Sequence, residues 1–172
     1  MRNLAFYMFS VVILLTLTNC SDEIEFNNPA IQANKNGEFW RATYERVDID
    51  YGGWLIEGGN YGETLQLVTR TDTRGTFIIG EEDLSGENEA IFRDSEGVIY
   101  STAFEPDPSL SVYPAEGQII VDNITNTTPK RVFGTFWFTA YSEDGMKSVT
   151  FNQGVFYRAP LTDGLVQITN HN

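Results

Sequence analysis

Two kinds of hydrophobic pattern divide this chain. Residues 4–17 are nearly all apolar, whereas from Gly37 onward apolar and polar positions alternate in short segments. Alternation with a period of two is typical of strands that bury one face. After Gly37 the apolar residues nowhere keep a helical spacing over three turns. The pattern therefore predicts an all-β domain over residues 37–172.

The longest alternating segment lies in the C-terminal third. One face of that segment carries Val132, Gly134, Phe136, Phe138 and Ala140, and the other carries Phe133, Thr135, Trp137, Thr139 and Tyr141. Residues 94–97 form a hairpin turn signal, and residues 152–154 shift the apolar phase as a β-bulge would. Eight or nine short strands at this spacing favour a single antiparallel β-sandwich, with a flattened barrel as the alternative.

The apolar run at the N-terminus predicts a signal peptide. It follows Arg2 and is shorter than the roughly 20 residues that a membrane-spanning helix needs. Leu17-Thr18-Asn19-Cys20 resembles a lipobox, in which cleavage precedes an obligatory cysteine that receives lipid. We therefore expect residues 1–19 to be a lipoprotein signal peptide. Cys20 is the expected lipidation site, and residues 20–36 would be a flexible acidic tether.

The charge of the expected mature chain excludes some partners. Without Arg2 the chain has 10 basic and 24 acidic residues, a net charge near −14. Such a protein repels nucleic acid and anionic headgroups, so we expect no nucleic-acid binding and attachment to the membrane by lipid. Two or three acyl chains on one cysteine would anchor it stably. No other cofactor is expected.

The residue inventory argues against most catalytic chemistry. His171 is the only histidine and Cys20 the only cysteine, so histidine-dependent nucleophilic catalysis and His/Cys zinc sites are not expected. Residues 48–59 begin like a calcium loop but have glycine where a bidentate glutamate is needed. A hydrolase with paired carboxylates is a weaker alternative. We therefore predict no catalytic residue, no metal ligand and no enzymatic activity.

Aromatic residues provide one binding hypothesis. Trp137 and Tyr141 share a strand face, and Tyr100 would join them if neighbouring strands align. An exposed platform of these rings could stack on sugars. The alternative is that the rings lie on a sheet face covered by loops or by a second layer.

Three segments resemble a family of small lipoproteins of Bacteroidota. They are Asn36-Gly37-Glu38-Phe39-Trp40-Arg41-Ala42, then residues 132–140 (VFGTFWFTA), then residues 148–156 (SVTFNQGVF). That family's pattern is roughly N-G-x-x-W-x-A, S-G-T-F-x-F-x-A and V-T-I-x-x-G-x-F, and Phe133 replaces its usual small polar residue. The resemblance implies an all-β fold and an envelope location. It transfers no catalytic residue, because the family has no established activity.

The residues after the cysteine suggest a location. Ser21, Asp22, Glu23 and Glu25 resemble the signal that directs lipoproteins of Bacteroidota to the outer face of the outer membrane. The alternative is an acidic linker that faces the periplasm. We expect a non-catalytic binding or structural module of the cell envelope that contacts an envelope protein or a glycan. A glycan-binding accessory protein for polysaccharide capture is the alternative function.

Overall fold

The computed structural model describes residues 30–110 and 113–168, which form eleven β-strands and no helix. The strands are β1 (Ala30–Lys35), β2 (Glu38–Arg41), β3 (Tyr44–Asp48), β4 (Leu55–Asn60), β5 (Glu63–Val68), β6 (Gly75–Gly80), β7 (Glu89–Arg93), β8 (Ile99–Ser101), β9 (Glu116–Ile124), β10 (Arg131–Ser142) and β11 (Ser148–Pro160). The all-β prediction is confirmed. Accordingly, the described part of the chain has no helix long and apolar enough to cross a membrane.

All of these strands belong to one sheet. Its order is β2-β1-β11-β10-β8-β7-β5-β4-β3, and every strand pair is antiparallel. The sheet forks at β10, because residues 132–139 pair with β9 and residues 141–142 pair with β8. Strand β6 pairs with the far side of β9. The sheet curls into a half-barrel, so its two facing layers are parts of one continuous sheet.

The interior of the curled sheet is filled with aromatic rings. One of the two faces that the alternation separates in β10 is the inner face, because Val132, Phe136, Phe138 and Ala140 are all buried. Phe151 of β11 packs at their centre, with its ring centroid 4.8 Å from that of Phe138. Large rings fill a core that strands this short could not otherwise close.

The domain begins earlier than the sequence pattern predicts. Residues 30–35, expected to be part of the tether, form β1 between β2 and β11. Ile31 and Ala33 of β1 are buried in the core. The prediction was wrong here because only these two side chains of the strand reach the core, and Ala33 is too small to give a strong apolar signal. The remaining residues of the predicted tether before Ala30 lie outside the described residues.

The C-terminal segment, residues 161–168, covers the outer face of β4, β5 and β7. Leu165 packs against Leu55, Val68 and Ile91 in a second, smaller hydrophobic cluster. Gln66 is buried beneath the segment, where its side-chain amide donates to the Val166 carbonyl and accepts from the Ile168 N–H. These strands are therefore buried on both faces.

Asp48 holds the middle of this segment. Its fully buried carboxylate accepts hydrogen bonds from the backbone N–H groups of Ile49, Asp50 and Leu165, at 2.6, 2.9 and 2.8 Å. Burial opposes ionisation, but these bonds and one from Gly164 outweigh it and hold the pKa of Asp48 below its usual range. Asp48, the first acidic residue of the segment that begins like a calcium loop, therefore binds backbone N–H groups.

Candidate functional site

The three rings of the predicted platform do not share an exposed face. Tyr100 is 8% exposed and lies in the core, where its hydroxyl donates to Asp94 at 3.3 Å. Tyr141 is 4% exposed and lies against the segment at Tyr113. Its hydroxyl donates a hydrogen bond to the Tyr113 backbone carbonyl at 2.5 Å. Burial raises the pKa of both hydroxyls, and nearby carboxylates add to the effect. Only Trp137, 40% exposed, remains available to a ligand.

Trp137 stands opposite the predicted β-bulge, which the structure confirms. Phe136 pairs with Gly154 and Phe138 with Phe151, so the single residue Trp137 faces the two residues Asn152 and Gln153. Gln153 has a left-handed backbone conformation, with φ of 52°. A bulge bends the strand and redirects side chains. Here it places two amide side chains beside one indole ring.

A shallow groove of about 710 Å³ surrounds Trp137 on the outer face of β1, β11, β10 and β9. Its polar side chains are those of Asn34, Gln118, Asn152, Gln153 and Thr135. Apolar surface comes from Trp137, Ile120, Val155 and the glycine at 154. Among the described residues, none that lines the groove carries a formal charge. The groove is therefore a neutral, amide-rich surface around one aromatic ring.

Asn34 has an unsatisfied atom within this groove. Its side-chain Oδ1 is buried and has no hydrogen-bond partner among the described residues. A buried acceptor without a partner costs about 1–3 kcal/mol. The described residues therefore leave this hydrogen-bond acceptor beside the groove unused.

Gly154 forms part of the groove floor. A Cβ atom built on it would lie 2.6 Å from the ring of Phe136, which is buried beneath the groove. Any larger residue would displace this ring or lift the bulge. Glycine therefore lets β11 lie closely on the core while the neighbouring amides point outward.

The carboxylate of Asp83 binds groups of its own loop. Asp83, in the acidic loop after β6, accepts from the N–H and hydroxyl of Ser85, at 3.0 and 2.6 Å, and from the N–H of Asn88 at 2.9 Å. Partial burial opposes its ionisation, but these bonds hold the pKa of Asp83 below its usual range. In the described ranges, no cluster of three or more His, Cys, Asp or Glu residues could hold a metal ion.

The predicted lipidation and export residues lie outside the described residues. These are Cys20, Ser21, Asp22, Glu23 and Glu25. Their roles stay predictions. Sequence reasoning selected Trp137 and the bulge, but it missed the contribution of Asn34 and Gln118. Those residues reach Trp137 only through the pairing of β1 with β11 and of β9 with β10.

The fold and groove define an all-β domain with a neutral aromatic site on its outer sheet face. The chain belongs to the family described as a domain of unknown function (DUF6252), which it matches over residues 27–160. The match includes every strand and all of the groove. No curated protein and no solved structure matches the chain significantly.

Proposed function

We propose that this protein is a lipid-anchored, non-catalytic module that binds glycans through the groove at Trp137. One observation carries the proposal: an exposed indole ring lies among uncharged amides, one of which has a buried oxygen that no described residue hydrogen-bonds. A binding role in the cell envelope is consistent with a family of unknown function.

The chemistry of the groove suits sugars. The C–H faces of a sugar ring are apolar and pack on the flat face of an aromatic side chain. Sugar hydroxyls both donate and accept hydrogen bonds, and each Asn or Gln amide offers both a donor and an acceptor. A concave surface with apolar area and a few placed polar groups is typical of small-molecule sites. Trp137 would stack on the ring while Asn34, Asn152 and Gln153 bind hydroxyls.

The non-catalytic part of the proposal rests on what lines the groove. Glycoside hydrolysis normally needs two carboxyl groups on either side of the scissile bond. Within the described residues, no Asp or Glu lines the surface around Trp137. A sugar held there would meet amides and hydroxyls, which bind it without supplying a general acid or a nucleophile.

Replacing Trp137 with alanine is expected to weaken retention by glycans strongly. The test is native affinity electrophoresis of the folded domain in gels that contain starch, hydroxyethylcellulose, mannan or xylan. We expect at least one of these neutral polysaccharides to retard the wild type, and Trp137→Ala to weaken that binding about tenfold or more, because central aromatic residues dominate binding energies. Trp137→Phe, which keeps a ring, should retain part of the binding.

Tyr113→Ala is the matched control. Tyr113 is 81% exposed and outside the groove, and the hydrogen bond from Tyr141 goes to its backbone carbonyl, which the substitution keeps. This variant should bind as the wild type does. Glycan binding through this groove is rejected if none of the four polysaccharides retards the wild type. It is also rejected if folded Trp137→Ala binds unchanged.

Membrane attachment is proposed to occur through lipid on Cys20. The support is the lipobox-like segment Leu17-Thr18-Asn19-Cys20. In a host that processes lipoproteins, the wild type should enter the detergent phase of a phase-separating detergent, whereas Cys20→Ser should remain in the aqueous phase, since loss of the acyl chains removes the anchor. Equal partitioning of both proteins would rule out lipidation at this residue.

The outer face of the outer membrane is the proposed location. The support is the acidic segment that follows the cysteine. Protease added to intact cells should therefore degrade the domain in the wild type, with a periplasmic protein as the protected control. Complete protection of the domain would place it on the periplasmic face instead.

A further inference from the structure

Strand pairing places a second exposed aromatic ring in line with Trp137. Phe39 on β2 pairs with Asn34 on β1, and Asn34 pairs with Asn152 on β11. Asn152 faces Trp137 on β10, which pairs with Gln118 on β9. Residues paired directly across a sheet project from the same face. These five side chains therefore form one row that runs across the strands, and we call it the transverse row.

The two rings of the transverse row are separated by amides. Phe39 is 74% exposed, at the edge of the sheet, and Trp137 is 40% exposed near its middle. Between them lie Asn152 and Asn34, whose side-chain oxygen has no partner within residues 30–110 and 113–168. Three strand spacings separate β2 from β10, or about 14–15 Å. A single sugar ring is much shorter than this distance, so one sugar cannot contact both rings.

We propose that the groove binds a linear, uncharged oligosaccharide that lies across the strands along the transverse row, with Phe39 and Trp137 stacking on different sugar units. This inference rests on the proposed function and adds the size, direction and charge class of the ligand. Phe39 is a specificity-determining residue because only a chain long enough to span β1 and β11 reaches it.

The charge class follows from the row and from the whole protein. Among the described residues, the lining of the groove around Trp137 includes neither a lysine nor an arginine that could pair with a uronate or sulfate group. The chain as a whole is strongly acidic, with a net charge of −13. It therefore repels polyanions at a distance, and the groove has no cation to offset that repulsion. Uncharged oligosaccharides bind without this electrostatic repulsion.

Isothermal titration with oligosaccharides of increasing length tests the proposal. The probes are the malto-, cello-, manno- and xylo-oligosaccharides, from disaccharide to hexasaccharide, with oligogalacturonates as the acidic counterparts. For the series that binds, the wild-type affinity should rise with length and then level off once the chain reaches Phe39. Phe39→Ala should lower hexasaccharide affinity about three- to tenfold and leave disaccharide affinity unchanged. Trp137→Ala should weaken both.

The outcomes separate the two proposals. If no series binds the wild type, the proposed function itself fails. If Trp137→Ala weakens binding but Phe39→Ala leaves the affinity for every oligosaccharide length unchanged, the groove binds glycans and the proposed binding along the transverse row is wrong. Tighter binding of oligogalacturonates than of neutral chains would overturn the charge class. Sedimentation velocity provides a further check: dissociation of a wild-type dimer by Phe39→Ala would make this edge a protein interface instead.

Discussion

Replacing Phe151 with alanine is expected to lower the free energy of unfolding by about 3–5 kcal/mol, a large fraction of the stability of a domain this size. Phe151 is fully buried, and its ring contacts those of Trp40, Phe92 and Phe138, with centroid distances of 5.6, 5.1 and 4.8 Å. Alanine would remove these contacts and leave a cavity that rigid neighbouring strands cannot close. Urea unfolding followed by tryptophan fluorescence measures the change.

Phe39→Ala is the matched control for Phe151→Ala. The chemical change is the same, but Phe39 is 74% exposed on an edge strand. Surface substitutions of this kind usually change stability by no more than about 0.5 kcal/mol. A loss below about 1 kcal/mol for Phe151→Ala would show that the aromatic cluster does not organise the core. The control also verifies that Phe39→Ala is folded when its glycan binding is measured.

The sequence predicted the fold best where one face of a strand is buried. In β10 the alternation separated the buried face from the other face, and the turn at 94–97 identified the hairpin of β7 and β8. Prediction failed for β1, which has only two apolar side chains in the core. For β4 and β5, the sequence did not reveal that the C-terminal segment covers their outer face, so that both faces are buried.

The candidate site was only partly predictable for a related reason. Trp137 and the bulge at residues 152–154 are visible along the chain, since each is a local feature. Asn34, Gln118 and Phe39 come from other strands, and their place beside Trp137 depends on register, which a single sequence does not specify. The unknown register also affected Tyr100, which was expected beside Trp137 if neighbouring strands aligned. Tyr100 instead shares the core with Phe92 and does not extend the outer face.

Asp48→Asn is expected to destabilise the protein by about 2–4 kcal/mol at neutral pH and to release the C-terminal segment. The buried carboxylate accepts from the N–H groups of Ile49, Asp50 and Leu165, and an amide presents its own donors to some of them. Hydrogen bonds to a charged group are worth about 1.5–3 kcal/mol each, and buried donors left unpaired carry a desolvation penalty. Hydrogen exchange should show faster exchange of the Leu165 N–H in the variant, and urea unfolding gives the free energy.

The pH dependence of this effect has a defined sign. Because the pKa of Asp48 is lower in the folded than in the unfolded protein, its contribution is fully present above the unfolded pKa of about 3.9 and is lost as pH falls through the folded value. The stability difference between wild type and Asp48→Asn should therefore be constant near neutral pH and shrink as pH falls below about 4.

Asp163→Asn, which removes the same charge from an exposed residue of the C-terminal segment, should show little difference in stability from the wild type at any pH. An Asp48→Asn difference that stays constant down to the acid transition would mean that the carboxylate charge does not hold the segment, and that packing of Leu165 against Leu55 and Ile91 is sufficient.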